Sequence, residues 1–326
     1  MIISFASGKG GTGKTTVATN FALFLSQETD AKKIQFLDCD VEEPNAAIFL
    51  RPKITETSSV GIPVPVIDFS RCTFCGKCSE VCAYHAIAVI NPTRYSRRGN
   101  EPGARMSQDM PGKSKKNILV FPELCHGCGG CSLFCPEDAI SETDRAIGVI
   151  EAGTSGAIDF VQGRLSIGEP MAPPVIRVLK QRIERPSTLR NAGKQRAKAR
   201  SSIADRHFTI IDVPPGTSCP MVEAIRGSDF TLLVTEPTPF GLNDLKLAVA
   251  TVREMDIRCG VIINRDGMGD SGVTEYCENA GIPVVMRIPM DRNIAVAYSK
   301  GIPMIKINAA YRDKFRELYQ NIVSLS

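Results

Sequence analysis

The sequence predicts an α/β fold with a mostly parallel, doubly wound sheet that is interrupted by a small α+β domain. Three observations predict it. The strand-length apolar segment Ile2–Ala6 runs into a glycine-rich loop and then into a helix-length apolar segment. Alternating strand-length and helix-length segments resume near Phe208. Between these regions lie two groups of four regularly spaced cysteines. An α/β pattern that stops and resumes around a segment of different composition indicates one domain inserted into another.

The elements of the larger domain follow from short apolar runs. The first helix is expected from about Thr16 to Ser26, and the apolar spacing in Tyr311–Ser326 predicts a final amphipathic helix. Residues Pro52–Pro65 are rich in Pro, Ser, Thr and Gly and are expected to form a linker. The predicted domain boundaries are 1–60 and 148–326 for the interrupted domain and 61–147 for the inserted one. The other expected strands are Ile34–Leu37, Phe208–Val213, Phe230–Thr235, Cys259–Asn264 and Val284–Ile288.

Composition is that of an ordinary globular protein, with 43% apolar and 23% charged residues in 326. No apolar run approaches the roughly 18 residues of a membrane span. The apolar start Met1–Ser7 runs directly into the glycine loop, so it is expected to be a buried strand of a cytoplasmic protein rather than a signal peptide. The basic stretches Arg94–Lys116 and Arg177–Arg206 are expected to be solvated loops. The alternative for these stretches is a docking surface for an acidic partner or for nucleic acid.

The glycine loop fits the pattern G-x-x-x-x-G-K-[ST] and lies between a strand and a helix, as a phosphate-binding loop requires. Its backbone N–H groups can surround a β-phosphate at the start of a helix. Lys14 is expected to place its charge on the β- and γ-phosphates, and the Thr15 hydroxyl is expected to ligate Mg²⁺. The predicted phosphate-binding residues are Gly8, Lys9, Gly10, Gly11, Thr12, Gly13, Lys14, Thr15 and Thr16.

Acidic residues follow two expected strands. Asp212 ends an apolar strand, the position that holds Mg²⁺ in such enzymes, and Gly216 after it would allow a γ-phosphate-sensing switch. Asp38 and Asp40 follow the second strand, at the sheet edge where ligands of open α/β sheets bind. One of these two carboxylates is expected to orient the attacking water while the other supports the metal. The alternative is that they cap a helix.

Lys9 directly after Gly8 produces G-K-G-G-T-G-K-T, which resembles the deviant phosphate loop of the MinD, ParA, Mrp and nitrogenase iron protein superfamily. The resemblance implies that Lys9 reaches the nucleotide of a partner subunit, so that ATP is sandwiched in a dimer. It also implies an adenine-reading Asn264 and contacts from Arg265, Pro289 and Asp291 to the nucleotide. The implied catalytic residues are Lys9, Lys14, Asp38, Asp40 and Asp212, and the implied Mg²⁺ residues are Thr15, Asp38 and Asp212.

Both cysteine groups have the bacterial ferredoxin spacing, C-x2-C-x2-C-x3-C. The fourth cysteine of each group lies one helical turn on and ligates the other cluster. Ala83 stands where a proline usually follows the fourth cysteine, while Pro136 is present in the second group. Zinc is the competing metal, since four thiolates suit it too. The predicted [4Fe–4S] ligand sets are Cys72, Cys75, Cys78 and Cys135 for the first cluster, and Cys82, Cys125, Cys128 and Cys131 for the second.

Four cysteines remain. Cys259 and Cys277 are expected to be small buried residues. Cys219 follows the Asp212–Gly216 segment, near where relatives in the superfamily hold a cluster between subunits; the alternative is ordinary packing. The role of Cys39 stays open. His126 lies inside a cluster motif, where it would either tune the cluster by hydrogen bonding or be exposed without a role.

The whole pattern resembles MinD-superfamily ATPases with an inserted ferredoxin domain, including those linked to the orange-protein complex. The resemblance implies a Mg²⁺-dependent ATPase that binds ATP or ADP and two [4Fe–4S] clusters. It further implies a dimer with itself or with a paralogous ATPase, and electron transfer to a redox partner protein. Two alternatives stay open: an Mrp-like cluster scaffold or carrier, and a redox-sensing spatial or partitioning ATPase that acts on a membrane or DNA surface.

Overall fold

The computed structural model describes residues 1–28, 33–90, 116–183 and 207–325. Contacts divide the chain into two units. The larger comprises Met1–Val60, Gly148–Ile167 and Met171–Ser326, and the smaller comprises Gly61–Ile147 with Gly168–Pro170. The two basic stretches fall outside the described residues, apart from Lys116 in the first and residues 177–183 in the second. Residues 177–180 of the second stretch belong to the helix Ala172–Lys180, so the prediction of a loop is wrong there, and for the residues outside the described ranges it stays a prediction.

Strands and helices alternate along much of the chain, and the elements of both units are numbered together in chain order. The strands are β1 (Ile2–Ala6), β2 (Lys33–Asp38), β3 (Lys53–Ile67), β4 (Ile87–Ile90), β5 (Asn117–Val120), β6 (Ile140–Ser155), β7 (Ile158–Leu165), β8 (His207–Asp212), β9 (Phe230–Thr235), β10 (Cys259–Asp266) and β11 (Val284–Pro289). The helices are α1 (Lys14–Glu28), α2 (Ala46–Leu50), α3 (Lys77–Val81), α4 (Gly130–Leu133), α5 (Ala172–Lys180), α6 (Cys219–Ile225), α7 (Pro239–Glu254), α8 (Gly272–Asn279), α9 (Arg292–Ser299) and α10 (Ala309–Leu325). Short 3-10 turns span Pro122–Leu124 and Met304–Lys306.

Nine strands form one sheet in the order β11-β10-β9-β1-β8-β2-β7-β6-β3. The pairs from β11 to β7 are parallel, whereas β6 and β7 form an antiparallel hairpin. Because consecutive parallel strands need helical crossovers, the alternation of strands and helices dictates this topology. The prediction of an α/β fold with a mostly parallel sheet is confirmed.

A hydrophobic core covers one side of the central strands. The α1 helix supplies Val17, Phe21 and Phe24, which are at most 1% exposed and pack with Phe5 and Phe208 of β1 and β8. The α10 helix belongs to the same core through Phe315, Leu318, Tyr319 and Ile322. Since this apolar stripe is buried against the sheet, the expected core packing of the final helix is confirmed. No helix among the described residues combines the length and apolarity needed to cross a bilayer.

The prediction of a linker at Pro52–Pro65 is wrong, because the 15-residue strand β3 lies there. Its buried positions alternate through Val60, Ile62 and Val64, the period of a strand with one face on a core. Prolines at 63 and 65 are tolerated because β3 is the last strand of the sheet, where an N–H can be spared. The long strands β6 and β7 were not predicted either, since they lie beside the cysteine-rich segment. The strands predicted at the front and after Phe208 are confirmed, with the first helix beginning at Lys14 and ending at Glu28.

The smaller unit contains the eight motif cysteines, the short helices α3 and α4, and a two-stranded antiparallel sheet. Strands β4 and β5 pair from Ile87 opposite Val120 to Ile90 opposite Asn117. Ile87 of β4 and Ile118 of β5 form a small core with Cys78 of α3. A core of this size gives little apolar burial, which is typical of small domains that rely on metals or disulfides. That this unit is a ferredoxin-like domain stays a prediction.

Candidate functional site

A cavity of about 500 Å³ opens at the carboxyl edge of the parallel strands. That volume falls within the range of ligand pockets, and this edge is where open α/β sheets bind ligands. Most of the predicted nucleotide residues line it, whereas Gly8, Lys9, Asp38, Asp212 and Gly216 do not. The lining residues that were predicted are Gly10, Gly11, Thr12, Gly13, Lys14, Thr15, Thr16, Asp40, Asn264, Arg265, Pro289 and Asp291.

The glycine loop joins β1 to α1 with a backbone that demands glycine at two positions. Gly11 and Gly13 have φ values of +80° and +89°, a region that residues with a Cβ atom rarely adopt. At Gly8 the requirement is space, since an added Cβ would lie 2.3 Å from the Asp244 carbonyl oxygen. The loop is therefore shaped by its own sequence before any ligand is considered.

Lys14 is the centre of a buried charge cluster. Its side chain is 6% exposed, and its ammonium donates a 2.8 Å hydrogen bond to Asp212 Oδ1 and lies 3.5 Å from Asp40 Oδ2. Burial lowers the pKa of Lys14, but the neighbouring carboxylates of Asp212 and Asp40 outweigh it, so the net pKa is raised. Lys14 is thus held as a cation at the base of the cavity, where a phosphate would replace or join its carboxylate partners.

Asp38 and Asp212 lie opposite each other on the neighbouring strands β2 and β8, and both are fully buried. Both Asp38 oxygens accept backbone hydrogen bonds, from Asp40 N at 3.1 Å and from Ala46 N at 3.0 Å. Burial, followed by the charge of Asp212, raises the pKa of Asp38 well above its ordinary value. Because Ala46 is the first residue of α2, its bond to Asp38 is that of an acid at a helix start, which agrees with the helix-capping alternative stated above; the catalytic and Mg²⁺ roles of Asp38 stay predictions.

One oxygen of this acidic pair has no partner. Asp212 Oδ2 is buried and accepts no hydrogen bond from the described residues. A buried carboxylate oxygen without a donor is costly unless a cation or water satisfies it. Mg²⁺ prefers hard oxygen ligands of this kind together with hydroxyls such as that of Thr15, which lines the cavity. The donor chemistry therefore fits the predicted metal.

Asn264 ties the end of β10 to the glycine loop. Its Nδ2 donates to the Thr12 carbonyl oxygen at 2.7 Å, and its Oδ1 accepts from Arg265 N at 3.0 Å. A Cβ on Gly13 would lie 2.4 Å from this amide nitrogen, so Gly13 also provides the space for Asn264. The predicted base-reading residue thus lies in the cavity wall and is positioned by the loop itself.

Glu236 is a site residue that the sequence reasoning missed. It follows β9 directly, and its side chain is 11% exposed. One oxygen accepts from Arg265 Nη1 at 2.5 Å, and the other lies 3.6 Å from Lys9 Nζ. The available signal was its position as an acid after an apolar strand, the same signal that identified Asp212. Glu236 holds two of the predicted nucleotide-binding cations within one protomer.

Two other predicted residues have structural contacts. Asp291 caps α9 by accepting from Asn293 N at 2.7 Å, and it also accepts from the Tyr311 hydroxyl at 2.5 Å, which lowers the pKa of Asp291. Gly216 has a φ of +97°, and its N–H donates to the Ser7 carbonyl oxygen at 3.0 Å. The segment after Asp212 is therefore linked to the residue that begins the glycine loop, as a switch would need to be.

This geometry agrees with a sequence match. Residues 3–304 match the family described as the CobQ/CobB/MinD/ParA nucleotide binding domain. The chain belongs to this family. It is 28% identical over 323 residues to an uncharacterized protein of Methanocaldococcus jannaschii, a match that covers 99% of this chain and 96% of the relative. It is also 26% identical over 132 residues to the iron-sulfur cluster carrier protein of that organism, covering 36% of this chain and 46% of the relative.

A solved structure of the same family has a similar fold. The septum site-determining protein MinD of Pyrococcus horikoshii, complexed with Mg-ADP, superposes with a TM-score of 0.50. The comparison covers 98% of this chain and 95% of that one, at 18% sequence identity. At this identity the likeness shows the fold. Together with the family match, it makes this chain a MinD/ParA-type nucleotide-binding ATPase.

The motif cysteines of this CobQ/CobB/MinD/ParA family member separate into two pockets of the smaller unit. Each pocket combines three cysteines of one motif with the fourth cysteine of the other motif. The first is lined by Cys72, Cys75, Cys78 and Cys135, and the second by Cys82, Cys125, Cys128 and Cys131. In the described part of the chain, no three His, Cys, Asp or Glu side chains are grouped as ligands of a single metal ion.

Backbone N–H groups donate to four of the motif sulfurs. Cys72 and Cys125 accept from Phe74 N and Gly127 N, both at 3.4 Å. Cys82 and Cys135 accept in the same way from the alanines four residues on, Ala86 at 3.2 Å and Ala139 at 3.3 Å. Donors aimed at sulfur stabilise thiolate, the form that binds iron. The residues present therefore fit two thiolate-bound clusters.

The four cysteines outside the motifs lie in different environments. Cys39 and Cys277 are buried, and Cys259 is half-buried. Burial raises the pKa of Cys277 to about 11, as expected of an inert packing residue. Cys219 is exposed at the first position of α6. Its role stays a prediction.

Proposed function

We propose that this chain is an ATP-hydrolysing iron–sulfur protein, a nucleotide-dependent dimer that couples its ATP state to electron transfer through two [4Fe–4S] clusters. The observation that carries the proposal is the division of eight cysteines into two sets of four. Each set lines one pocket, in a chain whose larger unit is a MinD/ParA-type ATPase. Ordinary buried cysteines have no reason to segregate in crossed sets of four.

Nucleotide binding is assigned to the cavity at the sheet edge. The glycine loop would surround the phosphates with N–H groups, and Lys14 would add its buried cationic charge. Mg²⁺ would be held by the Thr15 hydroxyl and by the partnerless Oδ2 of Asp212. Asp40 lines the same cavity, so it is the carboxylate best placed to orient an attacking water. The MinD of Pyrococcus horikoshii binds Mg-ADP on this fold, which supports the assignment.

Dimerisation is assigned to Lys9. Its side chain is 35% exposed and does not line the cavity of its own protomer. A partly exposed lysine of the phosphate loop that does not line its own cavity would be available to the nucleotide of a second subunit once it leaves its ion pair with Glu236. A cation from a partner would stabilise charge that develops on the transferring phosphoryl group. Nucleotide would then join two copies, or this chain and a paralogous ATPase.

Electron transfer is assigned to the smaller unit. Bound clusters would supply one-electron chemistry there, with potentials set by hydrogen bonds to sulfur and by solvent exposure. Cys72, Cys75, Cys78 and Cys135 would hold the first cluster, and Cys82, Cys125, Cys128 and Cys131 the second. Dimer formation would link the nucleotide state to the redox partner, because it would change which surfaces are available for docking.

Anaerobic purification followed by iron and sulfide analysis tests the proposal. The expected result is iron and sulfide sufficient for two cubane clusters, and an ATPase rate that differs between dithionite-reduced and oxidised protein. Iron-free protein containing zinc would contradict the cluster assignment. An ATPase that is indifferent to the redox state would contradict the coupling.

A second candidate, a cluster carrier, is favoured by the partial match to an iron-sulfur cluster carrier protein. The two functions predict different fates for the clusters. A carrier would deliver iron and sulfide to an apo-ferredoxin during ATP turnover, whereas an electron-transfer protein would keep its clusters through many turnovers. Radioactive iron in this chain, followed into the acceptor, separates the two.

A further inference from the structure

The two cysteine motifs are copies of one backbone. Residues 72–87 and 125–140 share the four cysteines and also Gly76/Gly129, Ser79/Ser132, Ala86/Ala139 and Ile87/Ile140. Positive φ values recur at the matched positions Phe74/Gly127, Gly76/Gly129 and His85/Asp138. The N–H to sulfur hydrogen bonds recur as well. Because the backbone is repeated, the side chains that differ between the pockets are what make the two pockets unequal.

One such difference is an aromatic pair at the second pocket. Tyr84 and His126 stack with ring centroids 3.4 Å apart and an angle of 8° between their planes. Tyr84 follows Cys82 by two residues, and His126 follows Cys125 directly, so the rings meet where the two motifs contribute to one ligand set. Both line the second pocket. The matched positions at the first pocket are Glu137 and Thr73, which cannot stack.

The other residues that line the second pocket also differ from those that line the first. Pro63 and Pro65 also line it, and a Cβ on Gly127 would lie 3.0 Å from the Pro63 ring. The first pocket is lined by Lys77 and Phe74, and the ring centroid of Phe74 lies 6.3 Å from that of Phe69. Aromatic surface is thus present at both pockets, but only the second has a ring pair beside the crossing cysteine.

We propose that Tyr84 and His126 form an aromatic cover over the second pocket that lowers the reduction potential of the cluster bound there. The inference rests on the proposed function, since it needs the cluster. Reduction adds a negative charge to a cubane, and water stabilises that charge. Rings that exclude water from the cluster therefore disfavour the reduced state. Tyr84 and His126 line the second pocket and are themselves exposed, so the ring pair lies on the surface side of that pocket, where Cys128 of the same set is exposed as well.

Potentiometric titration of the full chain, followed by EPR at one fixed pH under anaerobic conditions, tests the cover. Tyr84→Ala with His126→Ala is expected to move one midpoint to higher potential and to leave the other in place. His126→Phe keeps two stacking rings but removes the imidazole, so its midpoint is expected to stay at the wild-type value. A shift in His126→Phe as large as in the alanine pair would overturn the cover, because the imidazole itself would then set the potential.

Building the same pair at the first pocket provides a test in the opposite direction. The double variant Thr73→His, Glu137→Tyr is compared with the double variant Thr73→Ala, Glu137→Ala. Both remove the Glu137 carboxylate, but only the first adds two rings. The ring-bearing variant is expected to have the lower midpoint for the first cluster. Equal midpoints in these two variants would overturn the inference. Wild-type protein without iron would instead defeat the proposed function, so the two failures are distinguishable.

Discussion

Lys14 Nζ lies 2.8 Å from Asp212 Oδ1, and both side chains are almost completely buried although 198 residues separate them in the chain. The strand order explains the contact. Strands β1 and β8 are parallel neighbours, so the loop after β1 and the carboxylate that ends β8 meet at one sheet edge. A buried ion pair of this kind is expensive to break, because removal of one partner leaves the other as an uncompensated charge.

Replacement of this lysine is therefore expected to affect ligand affinity and stability together. Lys14→Met should weaken ATP binding by about tenfold to a hundredfold, the loss of about 1.5–3 kcal/mol for a charged hydrogen bond. It should also lower the melting temperature without nucleotide. Fluorescent-nucleotide titration and calorimetry measure the two effects. Lys33→Met, which removes an ion pair at the surface with Asp159, is the matched control and should change neither. Unchanged ATP affinity in Lys14→Met would remove Lys14 from the phosphate site.

Glu236 competes within the protomer for Lys9. Glu236→Gln removes the negative charge that holds both Lys9 and Arg265, so less ATP should be needed to drive dimerisation. Analytical ultracentrifugation across an ATP series measures this concentration, with Lys9→Met as the variant expected to stay monomeric. Glu275→Gln, an exposed acid that accepts from Ser271, serves as the control. A requirement for more ATP in Glu236→Gln would show that Glu236 assists the dimer instead.

The free energy of unfolding is expected to depend on pH through Asp40. Burial raises its pKa to about 6, against the opposing effect of Lys14. A carboxyl with a raised folded-state pKa binds protons more tightly in the native than in the unfolded chain. Its contribution to the free energy of unfolding therefore falls as pH rises from about 4 to about 6, and stays low above that window. The difference in melting temperature between wild type and Asp40→Asn should change between about pH 4 and about pH 6, with the variant gaining at the higher pH, and should stay constant above that. A constant difference within this pH window would contradict the buried-acid assignment.

Two glycines of the loop form a matched pair. A Cβ at Gly8 would lie 2.3 Å from the Asp244 carbonyl oxygen, whereas a Cβ at Gly10 meets nothing within 4 Å. Gly8→Ala should destabilise the chain by about 1–3 kcal/mol, the usual cost of forced overpacking, and Gly10→Ala should not. Denaturant unfolding without nucleotide isolates this effect from ligand binding. Equal stabilities would mean that the loop relaxes freely away from α7.

The crossed cysteine sets predict which substitutions are equivalent. Cys82→Ala and Cys125→Ala should remove the same EPR signal, although the two cysteines belong to different motifs. Cys72→Ala and Cys135→Ala should both remove the other signal. Cys219→Ser, at an exposed position outside both pockets, is expected to keep the full iron content. If Cys82→Ala instead affected the same signal as Cys72→Ala, the ligation would not be crossed.

Strong local patterns allowed part of this structure to be predicted. The apolar runs at Ile2–Ala6 and Phe230–Thr235 are fully flanked by loop residues, so their strands were found with accurate ends. The β3 strand was missed because its mostly exposed first half is rich in Ser and Thr and its second half contains two prolines, a composition shared with loops. Only the edge position in the sheet, a tertiary property, makes those prolines compatible with a strand.

The residues of the candidate site likewise differ in whether a local sequence pattern predicts them. Residues within a spaced motif, such as Lys14, were predictable because the chemistry requires their spacing. Glu236 was not, since its role depends on Lys9 and Arg265, which lie 227 and 29 residues away and meet it only in the folded chain. Tyr84 and His126 likewise belong to different motifs and are brought together by their pairing. Long-range contacts between single residues leave no local pattern to read.

The placement of Pro63 and Pro65 two residues apart on the outermost strand also bears on assembly. Residues at that interval present their backbone nitrogens to the same side of a strand, and proline has no hydrogen there to donate. This stretch of the edge also lies against the cysteine loop of the second pocket, since Cys125 Sγ lies 3.9 Å from the Pro63 carbonyl oxygen and both prolines line that pocket. The sheet therefore ends here against the chain's own cysteine loop, and another copy of the chain would find no backbone donor at these two residues with which to add a strand.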